Sequence, residues 1–236
     1  LSGTQVRTLR ADDGFPAPEA VRAAVRADDV HLPRSRLLVL ENTHNMAGGR
    51  VLAPARFAAL LAVARERGLL VHIDGARLAN AAVALGVPMA QLAHGVDSVT
   101  LCLSKGLGAP VGSLVAGPSA FVAAARRARK AFGGGMRQAG ILAAAGLLAL
   151  RDGPSRLTTD HARARELAAG LREVRGLQPL APETNIVMVD VDGTRASSLV
   201  QSLAKAGVAA LALGDTRVRF VLHRDLDASA VPRCIA

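Results

Sequence analysis

The chain has no tryptophan and no tyrosine, and five phenylalanines are its only aromatic residues. Half of its 236 residues are hydrophobic, so a sizeable core has to be built from alanine, leucine and valine, with close backbone approach at the 23 glycines. Proteins that bind single-stranded nucleic acid stack the bases on aromatic rings, and no Tyr or Trp is available for this role. The composition therefore predicts a globular protein with an α/β interior.

Acidic residues are scarce relative to basic ones. The formal net charge is +10, and of the 29 basic residues three are lysine and 26 are arginine. Such an excess raises nucleic acid or an anionic membrane as a partner, but apart from the run Arg126, Arg127, Arg129 and Lys130 the arginines are spread through predicted helices. We predict no nucleic acid and no membrane as partner, and expect part of the charge to serve an anionic cofactor and substrate. An RNA- or DNA-binding protein is the alternative, and a steep salt dependence of binding would support it.

Cysteine is also rare. Only Cys102 and Cys234 occur, far apart in the chain, and Cys102 lies in the apolar run SVTLCL. This usage favours a reduced compartment, and we expect a cytoplasmic location in the cytosol. The chain shows no signal-peptide pattern at its start, and no apolar run reaches the length that spans a bilayer. Because the first residue is leucine rather than methionine, we expect a fragment or a processed product.

Short apolar runs alternate with longer helical patterns, which is typical of a mostly parallel sheet with crossover helices. Strands are predicted at residues 36–40, 69–73, 98–103 and 112–116, and helices at residues 18–26, 54–67 and 76–85. The strands are apolar enough to be buried on both faces of such a sheet.

From Gly140 the sequence predicts a long helix rich in alanine and leucine, which we expect to break at Gly153 and Pro154 before a second helix begins. After Pro179 the pattern changes to short strands around one helix. We therefore expect a partial large domain over residues 1–155 and the start of a small C-terminal α/β domain over residues 156–236.

Polar residues follow three consecutive predicted strands at the point where each strand ends. These segments are Glu41 to Asn45 (ENTHN), Asp74 to Arg77 (DGAR) and Ser104 to Gly106 (SKG). In an open, mostly parallel sheet, ligands bind beyond the carboxyl ends of the strands. We therefore expect the three segments to direct an acid, a base and several hydrogen-bonding groups at one crevice.

Lys105 is the strongest candidate for chemistry in this crevice. It follows a strand that is predicted to be buried, in SKGLGAP, where glycines allow close backbone approach. A lysine that attacks a carbonyl must lose its proton, which an apolar setting favours. An isolated lysine is more often a surface residue, but Asp74 changes the balance. A carboxylate there can keep a pyridine nitrogen protonated, as pyridoxal phosphate (PLP) chemistry requires, although Asp74 can also cap the following helix.

Four ordered motifs resemble those of a known family, the low-specificity L-threonine aldolases, which are PLP-dependent β-eliminating lyases of the aspartate aminotransferase fold (fold type I). The motifs are ENTHN, HIDGARLANAA, DSVTLCLSKGLGAPVGS and RKAFGGGMRQAGILAAAG. The resemblance is nearly continuous over residues 28–150 and weaker towards the end. It implies a bound PLP, a homotetramer or dimer, and retro-aldol cleavage of L-threonine or L-allo-threonine to glycine and acetaldehyde.

The resemblance also implies roles for residues of the crevice. Lys105 is similar to the family's Schiff-base lysine, with Ser104 beside it at the cofactor, and Asp74 is similar to the acid on the pyridine nitrogen. Arg77 and Arg219 look like the pair that grips the substrate carboxylate, and Arg77 also belongs to the cofactor-binding set. Arginine suits this role because its planar fork binds carboxylates with two hydrogen bonds.

Two further residues are implied with less support from the residues themselves. His31 in DDVHLPRSR resembles a catalytic histidine near the substrate hydroxyl, and the alternative is a histidine that merely caps a loop. Arg137 follows three glycines before a predicted helix, and the resemblance implies that it helps to bind the cofactor of a neighbouring subunit. No metal is expected.

The chain departs from the family at its front. The family's Ser-Gly-Thr turn around the cofactor phosphate and its ring-stacking histidine are not found; residues 1–13 match the region after them, and the initial LSGT is not that turn. We expect a fold that is incomplete at the N-terminus, with open sheet edges and exposed apolar surface. Two hypotheses follow: part of an active threonine aldolase, or a truncated, inactive homologue or degenerate gene product.

Overall fold

The computed structural model describes residues 2–236, and Leu1, the first residue of LSGT, lies outside the described residues. In chain order the helices are α1 (Pro18–Ala24), α2 (Pro54–Glu66), α3 (Leu78–Leu85), α4 (Met89–Leu92), α5 (Ser119–Ala131), α6 (Gly140–Arg172), α7 (Ala196–Lys205) and α8 (Ala230–Ile235). The strands are β1 (Leu37–Glu41), β2 (Leu70–Gly75), β3 (Ser98–Cys102), β4 (Ser113–Ala116), β5 (Leu177–Pro179), β6 (Ile186–Val191), β7 (Leu211–Leu213) and β8 (Arg217–Val221).

The first sheet has the strand order β1-β2-β3-β4. β1, β2 and β3 are parallel, and β4 runs antiparallel to β3. One face packs against α1 and α2 through fully buried side chains such as Leu60 and Val71. The parallel α/β fold expected from the sequence is confirmed, and its geometry places the carboxyl ends of β1, β2 and β3 at one edge.

Local signals in the sequence set several helix ends. Pro18 and Pro54 occupy the first turns of α1 and α2, where the missing N–H costs no intrahelical hydrogen bond. Gly86 ends α3 in the left-handed conformation, with φ of +67°, which glycine adopts without strain. α4 and α5 were not predicted.

The long helix α6 is continuous, so the predicted break at Gly153 and Pro154 is wrong. Gly153 packs directly on the backbone of Leu107, because a Cβ atom there would lie 2.9 Å from the carbonyl oxygen of Leu107. The glycine thus permits a close approach of the helix, and this packing outweighs the local breaking tendency. The predicted domain boundary at residue 155 falls inside α6, and the division into two domains stays a prediction. Within residues 2–236, no helix combines the length and apolar character needed to cross a membrane.

The second sheet is antiparallel with the order β5-β6-β8-β7. The C-terminal half of α6 packs on it through buried residues that include Leu167 and Leu171. Side chains alternate along β8, so that Val218 and Phe220 are buried in this core while Arg219 lies on the opposite face. α6 therefore packs on the second sheet with its C-terminal half and on Leu107, in the loop after β3, through Gly153.

One face of the first sheet is open along β1, so the expectation of strands buried on both faces is wrong here, whereas the expected exposed apolar surface is present. Leu37 and Val39 on β1 and Leu70 on β2 are 50%, 55% and 53% exposed. Strands of a parallel sheet are normally covered on both faces. A second open apolar area, called the α5–α6 surface below, comprises Phe121, Phe132, Met136, Ile141, Leu147 and Leu148.

A buried histidine links α6 to the first sheet's layer of helices. His161 on α6 and Asn80 on α3 are both buried, and His161 Nε2 donates a hydrogen bond to Asn80 Oδ1 over 2.9 Å. Burial lowers the pKa of His161 to about 4, and the nearby Arg165 acts in the same direction. His161 is therefore neutral at physiological pH.

We predict that acid destabilises the fold through His161. A histidine whose pKa is about 4 when folded and 6.5 when unfolded is protonated first in the unfolded chain. Its stabilisation is complete above the unfolded pKa and is lost as the pH falls towards the folded one. The free energy of unfolding, measured with urea, should fall between about pH 7 and about pH 5 in both proteins, and the fall should be about 2 kcal/mol larger in the parent than in His161→Gln. His31→Gln, which changes an exposed histidine, should behave as the parent; an equal pH dependence in all three would contradict the assignment.

Candidate cofactor and substrate site

The three polar segments meet at the carboxyl edge of the first sheet, as predicted. Glu41 is paired with Asp74 in the β1–β2 register, and Asp74 is paired with Thr100 in the β2–β3 register. The N–H of Asn42 continues the ladder by donating to the carbonyl of Asp74 over 2.9 Å. The loop after β3 leads directly to Lys105.

A cleft of about 550 Å³ lies between this edge and the end of β8. Its walls are formed by two groups of residues, one around Lys105 and one from the second sheet. The first group is Arg77, Ser104, Lys105, Gly106, Gly108, Ala109 and Pro110. The second group is Asn185, Val221, His223, Arg224 and Asp225. Its size falls in the range of about 300 to 1,000 Å³ that is usual for small-molecule sites.

The Lys105 loop is a tight turn held by its own backbone. The N–H of Gly108 donates to the carbonyl of Lys105, and the N–H of Ala109 donates to the carbonyl of Leu103, both over 2.9 Å. The side chain of Lys105 is exposed. The expectation of an apolar setting around this lysine is therefore wrong for the described chain, although the rigid turn does present it to the cleft.

Asp74 is exposed at the end of β2 and does not cap α3. Its Oδ1 accepts a hydrogen bond from the N–H of Ala76 over 3.0 Å, which forms a turn two residues long. α3 begins at Leu78, and the residue in the cap position is Arg77. The second carboxylate oxygen of Asp74 makes no hydrogen bond among residues 2–236, so it is available to another donor.

Arg77 and Arg219 are brought together by one neutral acceptor. Asn45 Oδ1 accepts from Arg77 Nη1 and from Arg219 Nη1, each over 3.0 Å. Neither arginine forms an ion pair with an acid in the described part of the chain, and Arg219 Nε is buried without a hydrogen-bond partner there. Burial lowers the pKa of Arg77, and the nearby positive charge of Arg219 adds to this effect. Two guanidinium groups on a single amide oxygen form a position that attracts a carboxylate.

Asn45 was not among the residues predicted for the site. The available signal was its place in ENTHN, directly after a strand end. Its backbone N–H donates to Glu41 Oε1 over 3.1 Å, so the loop after β1 folds back on that strand.

Of the predicted site residues, Arg77, Ser104 and Lys105 line the cleft, whereas Asp74, Arg219, His31 and Arg137 do not. His31 is exposed on the loop between α1 and β1, and its backbone N–H donates to Asp29 Oδ1 over 2.8 Å. Arg137 is exposed in the turn before α6. Within the described residues, no hydrogen bond or ion pair joins either side chain to Lys105, so both roles stay predictions.

Four polar residues of the cleft were not predicted for the site: Asn185, His223, Arg224 and Asp225. Asn185 lies in TNIVMV, and its Nδ2 donates to the carbonyl of Leu222 over 2.9 Å. His223, Arg224 and Asp225 follow β8 in VRFVLHRDL, and His223 Nδ1 lies 3.7 Å from Asp225 Oδ2. For His223, Arg224 and Asp225, the available signal was their place shortly after Arg219 in the sequence.

Similar proteins support the reading of these motifs. The chain is 41% identical over 239 residues to "Low-specificity L-threonine aldolase 1" of Arabidopsis thaliana, with 98% of this chain and 67% of that protein covered. It is 42% identical over 216 residues to "Low specificity L-threonine aldolase" of Escherichia coli (strain K12), with 92% and 63% covered. The chain thus spans about two thirds of the length of these relatives.

Solved structures show the same fold at lower identity. The threonine aldolase of Leishmania major matches with a TM-score of 0.79 at 20% identity, covering 99% of this chain and 69% of that one. SPT with PLP bound as an internal aldimine matches with a TM-score of 0.66 at 21% identity, covering 92% and 57%. The fold is that of the PLP enzymes of fold type I.

The profile of the family named "Beta-eliminating lyase" matches residues 1–194. This stretch includes Asp74, Arg77 and Lys105, and it covers most of the 236 residues. Together with relatives above 40% identity, it shows that the chain belongs to the β-eliminating lyase family.

Proposed function

We propose that the chain belongs to a PLP-dependent aldehyde-lyase that cleaves L-threonine or L-allo-threonine to glycine and acetaldehyde. The observation that carries this proposal is the pair Arg77 and Arg219, which share Asn45 and form no ion pair with an acid among the described residues. Arg77 also lines the cleft together with Lys105. The named threonine aldolases among its relatives support the reaction.

Residues of the cleft, together with Asp74 and Arg219 on the adjoining strands, fit the cofactor. Lys105 is the amine that would hold PLP covalently, and Ser104 beside it offers a hydroxyl. Asp74, three residues before Arg77, has a carboxylate oxygen without a described partner, which suits a protonated ring nitrogen. The unpartnered Nε of Arg219 suits a substrate carboxylate, since a buried donor without a partner costs free energy until a ligand satisfies it.

When bound, PLP supplies an electron sink for the electrons of the bond that breaks. Arg77 and Arg219 orient the amino acid by its carboxylate, and this orientation decides which bond at Cα is placed for cleavage. The β-hydroxyl must also lose a proton. His31 was predicted to lie near that hydroxyl, and we propose it as the base that accepts this proton.

An inactive homologue is the competing function, and one observation favours it. Lys105 is exposed, and the neighbouring sheet face is open at Leu37, Val39 and Leu70. Water at the site would weaken the electrostatic interactions that cofactor binding needs. Binding of the cofactor therefore separates the two functions.

We predict that the purified chain with added PLP shows an absorbance band above about 400 nm, typical of a lysine-bound cofactor. Lys105→Ala should abolish the band because no other amine lies in the cleft among its lining residues. Lys205→Ala, at the end of α7, is the matched control and should keep the band. No band in the parent would favour the inactive homologue.

We predict that Arg219→Lys weakens the binding of threonine or glycine to the PLP-loaded protein on the order of tenfold, because lysine cannot form the two-point contact. A spectral titration, and the KM where turnover is measurable, would test this. Arg217→Lys is the control on the same strand: Arg217 pairs with Asp190 over 2.6 Å and should change affinity by less than about twofold. Equal losses in both variants would contradict the assigned role.

We further propose a homo-oligomer, a dimer or tetramer, in the cytosol. Exposed side chains of the α5–α6 surface support the oligomer: Phe132, Ile141 and Leu147 are 65%, 84% and 69% exposed, and large apolar side chains exposed in this number are typical of an interface. Arg137 lies beside this surface, where a neighbouring subunit would bring a cofactor site within its reach.

We predict that Leu147→Arg lowers the oligomeric mass in sedimentation or light scattering, because an arginine would be buried without a partner in the interface. Leu211→Arg places the same charge at a residue of β7 that is 48% exposed, outside the α5–α6 surface, and should leave the mass unchanged. A monomeric parent would contradict the proposed assembly.

A further inference from the structure

Arg224 contacts the turn that carries Lys105. It follows the end of β8, and its side chain lies against Gly108, where any Cβ atom would overlap Nη1 and Cδ of the arginine. Gly108 has φ of +82° and donates its N–H to the carbonyl of Lys105. The absence of a side chain at Gly108 thus makes room for the guanidinium next to the lysine.

Arg224 has no acidic partner among residues 2–236, unlike several other arginines of the protein. Arg50 pairs with Glu183 over 2.6 Å and Arg65 pairs with Asp97 over 2.9 Å. The adjacent Asp225 pairs with His223 instead of with Arg224. The positive charge of Arg224 at the cleft is therefore not neutralised by a direct contact.

The surroundings of Arg224 are also rich in positive charge. Arg156 lines both of the smaller cavities that adjoin Arg224, and Arg163 lines one of them. Two acids face the same cavities: Asp152, which pairs with Arg151 over 2.7 Å, and Asp160, which is buried and makes no described hydrogen bond. Because Asp152 pairs with Arg151 and Asp225 pairs with His223, the buried Asp160 is the acid left to oppose the charges of the three arginines that line these cavities. This end of the cleft therefore attracts anions.

We propose that Arg224 is a second anion-binding residue of the cleft, which takes a phosphate or carboxylate group of the ligand held at Lys105. It is separate from the carboxylate position, because Arg77 and Arg219 hold Asn45 whereas Arg224 lies on Gly108. The inference rests on the proposed function for the identity of the ligand. Two sources share the required chemistry: the phosphate of PLP, or an acidic side chain of the amino-acid substrate.

The experiment compares the parent with Arg224→Leu, and uses Arg172→Leu on α6 as a control that removes one exposed arginine elsewhere. PLP and pyridoxal, which lacks the phosphate, are each titrated by absorbance. If Arg224 takes the cofactor phosphate, Arg224→Leu weakens PLP binding on the order of tenfold and leaves pyridoxal binding unchanged. If Arg224 takes a substrate acid, both affinities are unchanged, but 3-hydroxyaspartate loses affinity on the order of tenfold while threonine does not.

A third measurement needs no cofactor. Inorganic phosphate should raise the thermal unfolding temperature of the parent and of Arg172→Leu more than that of Arg224→Leu. If the parent forms no lysine-bound cofactor but phosphate protects it through Arg224, the anion-binding residue stands and the proposed function fails. The inference is overturned if Arg224→Leu and the parent show the same rise in unfolding temperature with phosphate and the same affinities for PLP, pyridoxal and 3-hydroxyaspartate.

Discussion

The candidate site depends on one shared acceptor, the side-chain oxygen of Asn45. It receives hydrogen bonds from Arg77, at the edge of the first sheet, and from Arg219, on the second sheet, each over 3.0 Å. Two positive groups are held near each other although they repel, and burial of Arg77 raises the cost of this arrangement. A neutral amide does not cancel either charge, so the pair is kept together while its attraction for a carboxylate is preserved.

The continuous helix α6 fixes the relative positions of the residues that form this contact between the sheets. Its middle packs on Leu107 through Gly153 and on Asn80 through His161, and its C-terminal half packs on the second sheet through Leu167. The Lys105 turn and β8 are therefore both positioned by the same helix, α6. A break at Gly153, as the sequence suggested, would have left the position of Arg219 relative to Lys105 to flexible segments.

The sequence was sufficient to predict the features of the fold that depend on local patterns and on the ends of strands. Short apolar runs gave the strands of the first sheet to within about two residues, and the polar motifs after them gave the segments that meet at its carboxyl edge. The roles assigned to Arg77, Lys105 and Arg219 stay predictions. The sequence did not predict the continuity of α6, because packing of Gly153 on Leu107 is a tertiary effect. It also missed Asn45, since only the folded chain shows that two distant arginines share its oxygen.

The open face of the first sheet bears on Asp74. Side chains on a strand alternate between faces, so Leu70 and Asp74 lie on the same face of β2. Their register partners on β1, Leu37 and Glu41, lie on that same face of the sheet. Leu70 and Asp74 are four residues apart on β2, which is about 13 Å. A partner that packs along the whole length of this face would therefore cover the apolar row and also remove water from Asp74. Removal of water strengthens the interaction of a carboxylate with a cationic ring, because the local dielectric falls. Such a partner would bury the exposed leucines and strengthen the electrostatic interactions of Asp74 at the same time.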